Sequence, residues 1–228
     1  MKTIDKYIIQ KQIKLAKHPL FIQITRENSL ENIKLLAQYL SFWVMSFQDV
    51  IRINEMQMTD SEIRKVAHHH LVEDMGHEQW FLSDLQEMKV EEPNLKLLYS
   101  RDYIFTRDAT YAIISEVFRA SSDIERVALI MSLESTGHIF FEYTATLVKR
   151  VGYSSKLKYF SIHHLDIEKN HEIFEQEMQN FLNSIHLSED EEKKICEIVD
   201  RVYQAFTIMF DGFKVLLGKR SQVKALLN

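Results

Sequence analysis

An all-α bundle is the fold this chain predicts, and three observations predict it. Only 5 of its 228 residues are glycine and 2 are proline, too few turn formers for a sandwich or barrel of many short strands. Apolar residues recur at helical spacing through nearly the whole chain. Several of these stretches are preceded by an Asn, Ser or Thr three residues ahead of a Glu, a pairing that satisfies the first free N–H groups of a helix. With 46% apolar residues, the chain can bury one sizeable core.

Taken in order, residues 3–16 form a first short helix. Asn28 with Glu31 opens a long helix to about Asn54. Thr59 with Glu62 opens another, running to about Lys89 ahead of Pro93. A shorter helix covers residues 107–120. Ser122 with Glu125 opens the next, and Gly152 sits where a left-handed C-terminal cap belongs. This helix is apolar on most faces (VALIMSL, then IFFEY), which predicts a central position. Ser154 starts a helix to about His186, and Ser188 with Glu191 a last one, closed near Gly218. The connections are short and there is no Gly/Ser linker, repeat or low-complexity tract, so residues 1–228 read as one domain.

Composition narrows the function. Lys+Arg 28 against Asp+Glu 33 gives a net charge of −5, with no basic block, which argues against nucleic acid as a partner. One cysteine, Cys196, excludes an intrachain disulfide and a cysteine-based zinc or iron–sulfur site, and is expected as a buried structural thiol. That usage fits a cytoplasmic protein. No stretch approaches the ~18 consecutive apolar residues of a membrane span. The opening MKTIDKYIIQKQIK alternates charged with apolar residues and does not read as a signal peptide. No phosphate loop, dinucleotide fingerprint or nucleophile elbow is present.

Chemistry concentrates in the histidines. Seven of the ten lie in two clusters, His68, His69, His70 with His77, and His163, His164 with His171. In the second, His164, Glu168 and His171 are spaced i, i+4, i+7, within about 60° of helical arc. Such a stripe can grip a metal from one side, and imidazole with carboxylate suits iron, manganese or zinc. The same spacing also describes a solvated face with a chance histidine pair. In the first cluster, His77 has Asp74 at i−3, Glu73 at i−4 and His70 at i−7 on one helix face. Asp74-x-x-His77 and Glu168-x-x-His171 are then two carboxylate-x-x-His pairs on different helices, the arrangement that builds dinuclear sites in bundle cores. Glu134, set in the apolar stretch ALIMSLESTG, is the natural further carboxylate, because a buried charge there needs a partner. Glu142 on the same stripe is its alternative, and a pair of Glu134 with His138 the bland reading. A set this large suits two metals better than a catalytic zinc with its three protein ligands. His18, in HPLF, reads as a packing element leading into a helix. The aromatics and methionines from Phe42 to Met58 read as core that could also line a substrate cavity.

These residues carry a resemblance. HPLF, then HHLVEDMGHEQWFLSDLQEM, then YFSIHHLDIEKNHEIF resemble the heme-oxygenase-like superfamily over residues 15–185, and within it the non-heme diiron oxidases, the iron-containing redox enzymes. Pyrroloquinoline-quinone-synthase-like and thiaminase-II-like proteins are relatives on the same fold. The family motif H-x3-D-x2-H appears here as His164-x3-Glu168-x2-His171, with Glu in place of Asp. The resemblance implies a heme-oxygenase-like bundle of about seven helices. It implies two Fe ions, with Mn possible, and dioxygen as co-substrate. The implied ligands are Asp74, His77, Glu134, His164, Glu168 and His171, with Glu73 and His70 in lesser roles. For a further family carboxylate from the preceding long helix, only Asp49 or Glu55 is at hand. Its partners would be a small-molecule substrate and an external electron donor, without nucleic acid or membrane, and a homodimer is plausible. Tyr103, Tyr111 and Tyr143 are candidates for self-oxidation, which some members carry out. Two other readings stand beside it: a metal-free acid–base enzyme resembling the quinone-cofactor synthase, and a non-catalytic helical binding protein. Heme degradation would need a proximal histidine, for which His18 is the only candidate.

Overall fold

The computed structural model describes residues 2–26, 28–170 and 185–227, with side chains for 4–26, 28–167 and 185–219. The described residues contain helices α1 (Lys2–Leu15), α2 (Pro19–Arg26), α3 (Leu30–Met56), α4 (Ser61–Glu73), α5 (His77–Glu87), α6 (Leu95–Leu98), α7 (Ile104–Arg119), α8 (Asp123–Arg150), α9 (Ile162–Asn170) and α10 (Glu189–Leu227). A 3-10 turn at Arg101–Tyr103 precedes α7. The fold is all-α, as the composition predicts.

Helix α8 is the axis: 16 of its 28 residues are buried, and it touches α1, α2, α3, α4, α7, α9 and α10. Its fully buried Ser132, Thr136 and Thr144 return their hydroxyls to backbone carbonyls of the preceding turn, so none of these three hydroxyls is stranded. Its start follows the sequence. Ser122 Oγ accepts the Glu125 N–H, and the Glu125 carboxylate returns to the Ser121 N–H at 2.6 Å. Its end is a Schellman motif on Gly152 at φ 77, with Gly152 N–H bonded to Lys149 O and Tyr153 N–H to Val148 O. The Ser188–Glu191 capping box opening α10 also forms, in both directions.

Five boundaries differ from the sequence reading. The cap of α3 is Ser29 rather than Asn28. The cap of α4 is Asp60, whose carboxylate accepts the Glu62 and Ile63 N–H groups, while Thr59 is held by Asp123 of α8. The single helix expected over 59–89 is two, because Gly76 at φ 97 breaks it between α4 and α5. The helix expected from Ser154 begins instead at Ile162, capped by Ser161, whose Oγ accepts the His163 N–H. Its expected course to His186 runs past the described residues. Helix α10 continues through Gly218 to Leu227 rather than closing there, a glycine costing a helix only about 1 kcal/mol.

His18 leads into α2 as expected. Its Nδ1 accepts the Leu20 N–H at 3.2 Å and its Nε2 lies 3.3 Å from Asp211, so both ring nitrogens are engaged in packing. Cys196 is half-buried on α10 rather than fully buried, and burial raises its thiol pKa. No described helix is long and apolar enough to cross a membrane.

Candidate metal centre

The break at Gly76 builds one side of the site. Helix α4 ends with its last turn carrying His70, Glu73 and, as C-cap, Asp74. Gln48 of α3 donates to the Asp74 carbonyl at 2.6 Å, satisfying an acceptor the helix end leaves open. The helix is interrupted at Gly76, whose N–H is taken by Glu78, and α5 begins at His77. Asp74 and His77 therefore face each other across a corner rather than along one continuous helix.

At that corner three ligand atoms from two elements converge. His70 Nε2 lies 2.8 Å from Glu134 Oε1 of α8 and 3.2 Å from Asp74 Oδ2. The three groups can present one ligand atom each, all within 4.8 Å of one another. The other Asp74 oxygen lies 3.0 Å from His77 Nδ1. The carboxylate accepts there, so Nδ1 carries the proton of neutral His77 and the lone pair is on Nε2. That Nε2 is buried with no hydrogen-bond partner among the described residues, as is His70 Nδ1. From α9, His164 is 2% exposed, and its ring centroid is 4.6 Å from that of His77. His164 Nδ1 donates to the Tyr159 carbonyl at 2.9 Å.

The charges are interlocked. Burial alone would lower the pKa of His70, but the carboxylates of Asp74, Glu134 and Glu73 outweigh it and hold it at about 9. Burial likewise opposes ionisation of Asp74, yet His70, His77 and His164 hold its pKa below the usual value. A positive charge thus sits on His70 between two carboxylates. A divalent cation would meet the same two carboxylates, and the buried Nε2 of His77 is a donor suited to it. The residues present fit a metal of the iron or manganese type.

An adjoining cavity of about 60 Å³ is lined by Asp74, His77, Glu134 and His164. Its walls are three helical stripes: Leu40, Trp43, Val44 and Phe47 of α3; Leu133, Gly137, Phe140 and Phe141 of α8; Phe206, Met209 and Phe210 of α10. Gly137 is the gap in the α8 stripe. A Cβ there would meet only Phe141, at an ordinary 3.7 Å, so no close approach of another backbone calls for glycine.

Of the residues the sequence singled out, Asp74, His77, Glu134, His164 and His70 come together. Glu73 turns to His69, 2.9 Å away. The side chain of Glu168 and all of His171 lie outside the described residues. Glu142 is not the alternative, for it pairs with His138 on the surface. Asp49 pairs with Arg52 and Glu55 with Arg64, so neither reaches the site. Tyr103, Tyr111 and Tyr143 are all absent from the cavity wall; Tyr159 is the tyrosine there. The sequence reading missed Gln48, Glu78 and Asp84. Asp84 lies two turns after His77 on the same face of α5, a spacing visible in the sequence. Gln48 and Glu78 leave no such trace.

No protein-family model matches the chain, and no curated protein matches it in sequence. Solved structures do. A TenA homologue from Pyrococcus furiosus superposes with a TM-score of 0.64 at 11% identity, over 93% of this chain and 98% of that one. A domain of unknown function with a heme oxygenase-like fold from Shewanella denitrificans gives 0.67 at 11% identity, over 98% and 94%. The chain has the heme-oxygenase-like fold.

Proposed function

We propose that this heme-oxygenase-like chain is a non-heme iron-dependent oxidase or oxygenase. It would hold two iron ions, with manganese as the substitute, and use dioxygen to oxidise a small, partly apolar organic molecule. The observation that carries the reading is the convergence of His70, Asp74 and Glu134 beside the buried Nε2 of His77, which has no hydrogen-bond partner among the described residues. Asp74, His77, Glu134, His164 and His70 would hold the metals together with Glu168 and His171. Iron bound there would supply the redox chemistry that activates dioxygen, with an external donor returning electrons.

The chain's own residues do the rest. Asp74 fixes the ring of His77 through Nδ1, and the Tyr159 carbonyl fixes that of His164. His70 must release its proton as the cation arrives, because a protonated imidazole is no ligand. Trp43, Phe47, Phe140 and Phe141 keep water from the cavity and hold the apolar body of the substrate with its reacting end toward Glu134.

The test is an anaerobic titration with ferrous iron, counting iron retained per chain. About two per chain is expected for a dinuclear centre, and fewer in Glu134→Ala and His171→Ala. If both variants retain as much as the parent, the reading fails. A second reading is favoured by one observation, the placement of His70 Nε2 against the carboxylates of both Asp74 and Glu134, which favour its protonated form. It is a metal-free acid–base enzyme on the same fold. A folded parent that retains no iron selects it.

A further inference from the structure

Asp84 is the most deeply buried carboxylate bearing on the site, 1% exposed on α5, and nothing above gives it a role. Its Oδ1 accepts the Lys158 N–H at 2.7 Å and its Oδ2 the Phe160 N–H at 3.0 Å. Both donors lie in the irregular segment between α8 and α9, which has no regular structure of its own to hold it. The Tyr159 C=O and the Phe160 N–H belong to one planar trans peptide and point in opposite directions. Fixing the N–H on Asp84 therefore aims the carbonyl, and that carbonyl accepts from His164 Nδ1. A carbonyl oxygen only accepts, so this contact puts the proton of neutral His164 on Nδ1 and the lone pair on Nε2, the form in which imidazole binds a metal or takes a proton. Phe81, three residues before Asp84, packs edge-on against Tyr159 at 5.3 Å and reinforces the same segment.

We propose that Asp84 is a positioning residue. Through the Tyr159–Phe160 peptide it selects the Nδ1–H tautomer of His164 and ties α9 to α5, so that the two helices bring His164 and His77 to the site in fixed register. The value of this for function rests on the iron reading, but the tautomer does not, and the experiment separates the two.

The variant is Asp84→Asn, which keeps shape but turns an NH2 donor toward one of the two N–H groups and so releases one end of the clamp. The first readout is the 15N spectrum of His164 in the metal-free chain, and the second is ferrous iron affinity. The parent is expected to show a single Nδ1–H form. Asp84→Asn is expected to show a mixture or the Nε2–H form, with iron affinity lower by roughly ten- to a hundredfold, the usual range for the partner of a ligand. An unchanged tautomer and unchanged affinity in the variant overturn the proposal, whatever its melting temperature. Should the variant fail to fold, the parent decides, because His164 protonated on Nε2 overturns it as well. A parent that retains no iron while Asp84→Asn still shifts the tautomer leaves the proposal standing and removes the iron reading.

Discussion

His70 is the residue whose state is most unusual. Its neighbours hold it protonated to about pH 9 in the metal-free chain. A group whose folded pKa is raised gives stability that is complete below the unfolded value, ~6.5 for histidine, and is lost as pH rises through the folded value. The metal-free protein is therefore expected to lose stability between about pH 6.5 and 9, with His70→Gln flattening the loss. Urea denaturation at several pH values across that window checks it. Asp74 has the opposite sign: its lowered pKa gives stability above its unfolded value, lost as pH falls below it. His70 was legible in the sequence only as a histidine seven residues before His77. Its contact with Glu134 joins residues 64 positions apart, and no local pattern encodes that.

At the scale of elements, local rules placed the helix starts that depend on a few neighbouring residues. Ser122 and Ser188 cap as read because a capping box is closed within four residues. Thr59 failed because Asp123, from another helix, takes its N–H and hydroxyl, leaving Asp60 as the cap. Gly76 was passed over because a lone glycine is tolerated inside a helical pattern; here its positive φ makes the corner between His70 and His77. Gly76→Ala is expected to cost about 1–2 kcal/mol from the left-handed backbone alone, since a Cβ there meets nothing within 4 Å. It should also weaken iron binding by disturbing the Asp74–His77 pair. Chemical denaturation measures the first effect and metal titration the second. A stability equal to that of the parent would show that the corner does not depend on the glycine.

Across the whole molecule, α10 closes the bundle by lying against α7, α8, α1, α2 and α3. It comes close to α7 at Gly212, where a Cβ would stand 2.3 Å from the Phe105 ring. Gly212→Ala is expected to destabilise by about 1–3 kcal/mol through overpacking, despite alanine's better helix propensity. Phe105→Leu in the same chain should recover part of the loss. The cavity depends on this closure, because Phe206, Met209 and Phe210 of α10 form one of its walls. Denaturation of the single and double variants tests the coupling, and additive effects would remove it.

The sequence by itself determined the all-α class, the central placement of α8 and the two histidine clusters. These rest on composition, apolar periodicity and spacing within one helix, all of which are local. The heme-oxygenase-like bundle, first drawn from motif resemblance, is the fold seen here and in the solved Shewanella denitrificans domain. Tertiary structure alone decided that Glu134 meets His70, that Glu73 turns to His69, and that Asp84 reaches Lys158 and Phe160. Spacing along a helix says which residues share a face. Only packing against other helices says what that face meets, and a buried carboxylate settles on whichever donor the neighbouring elements bring within reach.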